Sequence, residues 1–238
     1  MNPNYADYLI KKTQKDYNQF AESFASTRED NWPEIWLFRD FVQPEEKILD
    51  DGCGSGRLYK LFRGKDIEYF GVDFSGKMIE IARKQYLSSP EAKKEVVHPV
   101  FLTVNALNLP FEDNFFNKVF SVAVLHHIPS EEKRIMFLKE IRRVLKQKGE
   151  MFLTVWNLWQ PKYLPRILKG MFLKMAGLSK LDFFDIFVPF QGADRYYHCF
   201  RAKELEGLAT KAYFTSAKIT YLERNGNPFN LFLRAKKL

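Results

Sequence analysis

The chain has 238 residues, of which 46% are hydrophobic and 28% charged. That balance excludes a disordered chain and supports one full-sized domain with a large core. The net charge of +8 suits a polyanionic partner or serves solubility alone. No apolar run reaches the ~20 residues of a membrane span, and Met1 to Lys15 is too polar for a signal peptide.

Residues 5–24 carry Tyr8, Leu9, Tyr17, Phe20 and Phe24 at helical spacing. A loop over Ser26–Pro33 and a second short helix follow. Lys47–Asp51 is a short buried strand that runs into Gly52-Cys53-Gly54-Ser55-Gly56, and Arg57–Phe62 is the helix after it. Ile67–Asp73 is a second strand, and Ser75 caps a helix through Tyr86. Val100–Val104 and the nearly all-apolar Lys118–Leu125 are strands three and four. The amphipathic helix Glu131–Lys146 ends at Lys148-Gly149, and Glu150–Trp156 is strand five. Ala217–Arg224 and Pro228–Lys236 form a hairpin around Asn225-Gly226-Asn227. Strand–helix alternation predicts a parallel sheet with helices on both faces, closed by this antiparallel pair.

Four parts are expected within one domain: a helical cap over 1–46, a cofactor core over 47–156, an insertion over 157–199, and a last helix and hairpin over 200–238. The insertion holds Pro161, Pro165, Gly170 and Gly177 among lysines and large apolar residues, and it reads as a lid facing the substrate. Cys53 and Cys199 read as free thiols in a reducing, cytoplasmic setting.

A glycine loop between strand and helix lets the backbone turn sharply and approach a ligand closely. The spacing here, Gly52-x-Gly54-x-Gly56, departs from the pyrophosphate-binding pattern. Asp50, an acid beside the loop, disfavours a pyrophosphate and suits an ammonium group. Asp73 ends the second strand, where a carboxylate can accept both hydroxyls of a ribose. Asn105 either reads an adenine edge or only forms a turn.

These segments carry a resemblance. Ile48–Gly56, Gly71–Ser75, Asn105–Phe111, Ser121–Ile128 and Glu140–Lys146 resemble the motifs of class I S-adenosylmethionine-dependent methyltransferases. The resemblance implies a Rossmann-like α/β fold with a mostly parallel seven-stranded sheet and a C-terminal antiparallel hairpin. It implies S-adenosyl-L-methionine (SAM) as cofactor, held by Asp50, Gly52, Cys53, Gly54, Gly56, Asp73, Phe74, Asn105, Ala106 and Val122. Asp51 stands where the family usually has an apolar residue, and Asn105 where it often has Asp.

The flanks narrow this. Tyr17-Asn18, Phe24, Thr27-Arg28, Trp32-Pro33, Asp185–Phe190, Arg195–His198 and Glu204-Leu205 resemble the tRNA wobble-uridine carboxymethyl methyltransferases. That resemblance implies methyl esterification of a carboxylate on tRNA, and a small zinc-binding activator subunit as a partner of the eukaryotic members. A carboxylate is already nucleophilic at neutral pH, so an arginine fork matters more than a strong base. Arg28 and Arg195 are the candidates, and the alternative for each is a surface or structural ion pair. His126 and His127 end the fourth strand, at the sheet edge where ligands bind. One is expected to face the substrate and the other to pack, so His126 joins the catalytic set. No third ligand stands at metal spacing, and no metal is expected. Tyr196, with Tyr197 and His198, either stacks on a base or fills the core.

From Lys133 to Lys180 there are 12 Lys and Arg against Glu140 and Glu150. Such a stretch either tracks a phosphate backbone or is a solvated helix face. Residues 158–180 also mix lysines with large apolar side chains, as in a helix lying on an acidic membrane. Two rivals to the tRNA enzyme follow: a small-molecule or lipid methyltransferase acting on a quinone-like precursor, and a non-catalytic SAM- or tRNA-binding subunit.

Overall fold

Alternation along the central strands builds two hydrophobic layers. The structure is a computed structural model that describes residues 1–27, 33–88, 99–224 and 226–238. Its strands are β1 (Glu46–Asp51), β2 (Ile67–Asp73), β3 (Val100–Thr103), β4 (Phe116–Val122), β5 (Leu145–Trp156), β6 (Asp185–Phe190), β7 (Ala193–His198), β8 (Thr215–Arg224) and β9 (Asn227–Lys236). Its α-helices are α1 (Pro3–Gln19), α2 (Ala21–Ser26), α3 (Arg57–Phe62), α4 (Gly76–Leu87), α5 (Glu131–Val144), α6 (Leu164–Met175) and α7 (Ala202–Lys211). Successive strand residues point to opposite faces. Ile48, Phe120 and Phe152 therefore pack in one core with Leu58, Leu61 and Ile79 of α3 and α4. Leu49, Val119 and Leu153 pack in the other with Phe137, Ile141 and Leu208 of α5 and α7.

Seven strands form one sheet in the order β3-β2-β1-β4-β5-β9-β8. The first five run parallel, and β9 lies antiparallel between β5 and β8. The order reverses between β1 and β4, and a crevice opens beyond the carboxyl ends of strands at such a switch point. The hairpin β6/β7 is a separate two-stranded sheet.

The helical run over 5–24 is not continuous. Phe20, at φ −107° and ψ 18°, separates α1 from α2. The second short helix is a 3-10 helix over Pro33–Phe41. The 157–199 insertion holds α6 and the β6/β7 hairpin. Asn225 of the expected turn lies outside the described residues.

Candidate cofactor and substrate site

The site is built on the turn after β1. Gly52, Gly54 and Gly56 have φ of +86°, +55° and +78°. At Gly52 the requirement is doubled, because an added Cβ would sit 2.2 Å from Val124 Cγ2. The Gly52 and Cys53 N–H groups bond to the Val72 carbonyl. The Gly54 N–H bonds at 2.9 Å to Asp73 Oδ2, so Asp73 holds the loop from the neighbouring strand. Its other oxygen accepts from the Ser75 N–H. Burial pushes the Asp73 carboxyl up to about 6, against these backbone hydrogen bonds.

A cavity lies over this turn. Gly52, Cys53, Gly54, Asp73, Phe74, Asn105, Ala106 and Val122 of the expected set line it, joined by Asp51, Arg57, Met78, Leu107 and Val124. Its far end is closed by Tyr17, Phe24, His126, His127 and Trp156. Asn105 Oδ1 accepts from the Leu107 N–H at 3.0 Å, so it builds its own turn at the cavity rim.

Two expected cofactor residues stand elsewhere. Asp50 is on the opposite face of β1 and accepts a 2.5 Å hydrogen bond from Tyr69 Oη. Burial raises its carboxyl to about 7. Gly56 caps α3, where a Cβ would meet Tyr86 and Phe101. The acid that lines the cavity is Asp51, whose two carboxylate oxygens have no partner among the described residues. Burial, then Asp50, Asp73 and Glu140, hold its carboxyl well above the usual range.

The far end is a cluster of ring donors. His126 Nδ1 accepts from the Trp156 backbone N–H at 3.3 Å, which leaves the ring proton on Nε2. That Nε2 has no partner among the described residues, and neither does Trp156 Nε1. Arg195 is buried behind them. Its guanidinium lies 4.3 Å from the Phe190 ring centre, 5.2 Å from Tyr197 and 5.9 Å from Trp156. Its Nε and Nη1 meet no acceptor among the described residues. Arg195 does not itself line the cavity but packs against Trp156, which does. His127 is held differently. Its Nδ1 donates to the Tyr196 carbonyl and its Nε2 accepts from Tyr17 Oη, both at 2.9 Å. Burial takes its pKa down to about 3.

Tyr196 is a correction to the catalytic set. Its hydroxyl donates to Asp185 Oδ1 at 2.8 Å and accepts from Arg134 at 3.2 Å, inside a buried polar network away from the cavity. Arg28 lies outside the described residues. Tyr17, Asp51 and Trp156 line the cavity without having been expected there. The parity of β1 places Leu49 and Asp51 on one face, which is the one signal that points to Asp51.

A switch-point cavity over a positive-φ glycine turn, with an acid on the next strand, is the ligand-site plan of a doubly wound, Rossmann-like α/β fold. A methyltransferase-domain family model matches residues 49–153. A protein of Encephalitozoon cuniculi described as a methyltransferase is 30% identical over 199 residues, 83% of this chain and 84% of that one. The chain therefore belongs to the class I SAM-dependent methyltransferases, and SAM is its cofactor. A SAM-dependent methyltransferase structure from Methanosarcina mazei superposes with a TM-score of 0.72 at 25% identity, covering 88% of this chain and 99% of that one. The tRNA (carboxymethyluridine(34)-5-O)-methyltransferase of Arabidopsis thaliana is 32% identical over 146 residues, 61% of this chain and 33% of that protein. The chain spans 33% or less of the length of several tRNA methyltransferases that it matches.

Proposed function

We propose that the chain methyl-esterifies a carboxylate, and that the carboxylate is the carboxymethyl group of a tRNA wobble uridine. The observation that carries this is the donor cluster at the far end of the cavity. His126 Nε2, Trp156 Nε1 and Arg195 Nε and Nη1 are buried donors with no acceptor among the described residues. Leaving such groups unpaired costs about 1–3 kcal/mol each, more for a charged one. An anionic acceptor entering beside His126 and Trp156 satisfies their two ring donors and draws on the Arg195 charge behind them. SAM supplies an electrophilic methyl on a sulfonium. The Gly52–Gly56 turn and Asp73 fix the nucleoside, and the donor cluster orients the acceptor oxygen for in-line attack. Product formation needs no proton transfer, which agrees with a histidine pair kept neutral by burial.

The similarity to the Arabidopsis enzyme and the +8 charge support tRNA as the carrier. The wobble-uridine reading also implies a small zinc-binding activator as partner. The test is tritiated methyl transfer from SAM into separated tRNA, lipid and small-molecule fractions, with and without such an activator. Base-labile label in tRNA supports the ester. Label confined to the lipid or small-molecule fraction overturns the tRNA assignment, and cofactor binding without transfer to any fraction overturns catalysis.

A further inference from the structure

Helix α6 buries too little of itself. Seven of its residues are Leu, Ile, Met or Phe, yet only Ile167 is buried. Ile167 packs on Leu158, Ile186, Tyr197 and Cys199, with Met171 half-buried beside it. Gly170 lies against the Asp185 carbonyl, where a Cβ would be 3.2 Å away. These residues make up the inner face.

The outer face is apolar and open. Leu168 is 61% exposed, Phe172 65% and Met175 68%, with Leu164 at 38%. Their spacing, i, i+4, i+8 and i+11, aligns them in one stripe along the helix. Leu178, just beyond the helix, extends it at 74% exposure. A 12-residue helix is marginal in water without a packed face.

Charge selects the occupant. Residues 157–181 contain Lys162, Arg166, Lys169, Lys174 and Lys180 and no Asp or Glu. Lys174 lies 3.7 Å from Asp182. Arg166 and Lys169 stand about a quarter-turn or more off the apolar stripe, exposed to solvent. A nucleic-acid backbone rewards the cations and leaves the leucines and Phe172 wet. An anionic bilayer surface takes both: the stripe enters the acyl boundary while the long basic side chains reach the phosphates. Among the described residues no helix is long and apolar enough to cross a membrane, so α6 would lie on the surface.

We infer that α6 is an interfacial helix that docks this methyltransferase on anionic membrane surfaces through Leu164, Leu168, Phe172 and Met175, with Arg166 and Lys169 on the headgroups. The inference stands whichever acceptor is methylated. Its position matters, because Tyr197, packed under α6, stacks on His126 and Trp156 at the far end of the cavity.

The test is co-sedimentation of the full chain with phosphatidylcholine–phosphatidylglycerol vesicles and with pure phosphatidylcholine vesicles. Expected is salt-weakened binding to the anionic vesicles only. Leu168→Glu/Phe172→Glu lowers partitioning by about tenfold or more, with unchanged circular dichroism because both side chains are exposed. Tyr221→Glu, which replaces an exposed aromatic on β8, leaves it unchanged. The inference is overturned if the wild type does not sediment with anionic vesicles. It is overturned equally if the double variant binds as well as wild type, or if light scattering shows a wild-type dimer that the double variant dissolves.

Discussion

Tyr17 of α1 donates its phenolic proton to His127 Nε2, across 110 residues of sequence. Because His127 Nδ1 is committed to the Tyr196 carbonyl, Nε2 can only accept. The contact ties the N-terminal helix to the end of β4 and to β7. Tyr17 and His127 both line the far end of the cavity. Tyr17→Phe keeps the ring contacts with Phe20, Phe24 and Phe74 and removes the bond to His127. We expect kcat to fall about fivefold, the loss of about 1 kcal/mol of positioning, with the cofactor Kd unchanged. A wild-type kcat in that variant refutes the role.

Gly52→Ala should abolish measurable cofactor binding. The new methyl would lie 2.2 Å from Val124 Cγ2 at a φ of +86°, so the turn must shift from the ligand. The left-handed conformation alone costs about 1–2 kcal/mol. Gly192→Ala isolates that part, since Gly192 has a φ of +78° and open space around it. Calorimetry with S-adenosylhomocysteine should show binding intact in Gly192→Ala and lost in Gly52→Ala.

The strands of the seven-stranded sheet, the turn and Asp73 were legible because a buried parallel sheet writes itself as apolar runs ending at glycine and acid, whereas β6 and β7 lie in a segment read only as an insertion. The strand order around β9 agrees with the expected plan. What sequence spacing could not supply was side-chain direction. Asp50 and Asp51 are neighbours, and only the pleat of β1 decides which one meets the cavity. Tyr17 looked like one more apolar helix position, since its partner is set by tertiary packing. Tyr196 sat between Arg195 and Tyr197 in a promising motif, but alternation along β7 turns its hydroxyl into the Asp185 network.

Cofactor affinity should rise with pH across the titration of Asp73. Burial raises this carboxyl to about 6 in the free site. Ribose hydroxyls need the carboxylate as acceptor, so below about pH 6 binding must first expel a proton. The fall in affinity steepens toward about tenfold per pH unit of acidification as proton release approaches one per site. Asp50 and Asp51, both raised by burial, are the other acids of the turn. Calorimetry in buffers of different ionisation enthalpy measures the released proton. Asp73→Asn should bind more weakly and lose most of the pH slope. An unaltered slope in that variant assigns the proton elsewhere.

Arg195 should affect the acceptor and not the cofactor. Its guanidinium is planar and sits among three rings, a setting that a lysine ammonium does not reproduce. Arg195→Lys should lower kcat/KM for the acceptor by roughly 5-fold to 30-fold, the loss of about 1–2 kcal/mol of charge and ring positioning behind Trp156. Kd for S-adenosylhomocysteine should stay within about twofold, because the Gly52–Gly56 turn and Asp73 are untouched. A parallel loss of cofactor binding would make Arg195 a structural residue of the β6/β7 hairpin.

Asp185 is the centre of the buried network that holds that hairpin. Its Oδ1 accepts from Tyr196 Oη at 2.8 Å and faces His198 Nδ1 at 2.7 Å and Arg134 Nη2 at 3.5 Å. Its Oδ2 accepts from the Asp182 N–H. His198 Nε2 continues to Glu204, at the start of α7. Removing the central charge leaves Arg134 buried beside fewer acceptors, and breaking such a group costs about 3–5 kcal/mol. Asp185→Asn should therefore lower Tm by roughly 6–20 °C. Tyr196→Phe removes one neutral hydroxyl from the same network and should cost only about 1 kcal/mol. It should retain methyl transfer, because the Tyr196 group that meets His127 is its backbone carbonyl, which phenylalanine also supplies. If Tyr196→Phe instead abolished transfer at unchanged Tm, the hydroxyl would belong to the chemistry and not to the scaffold.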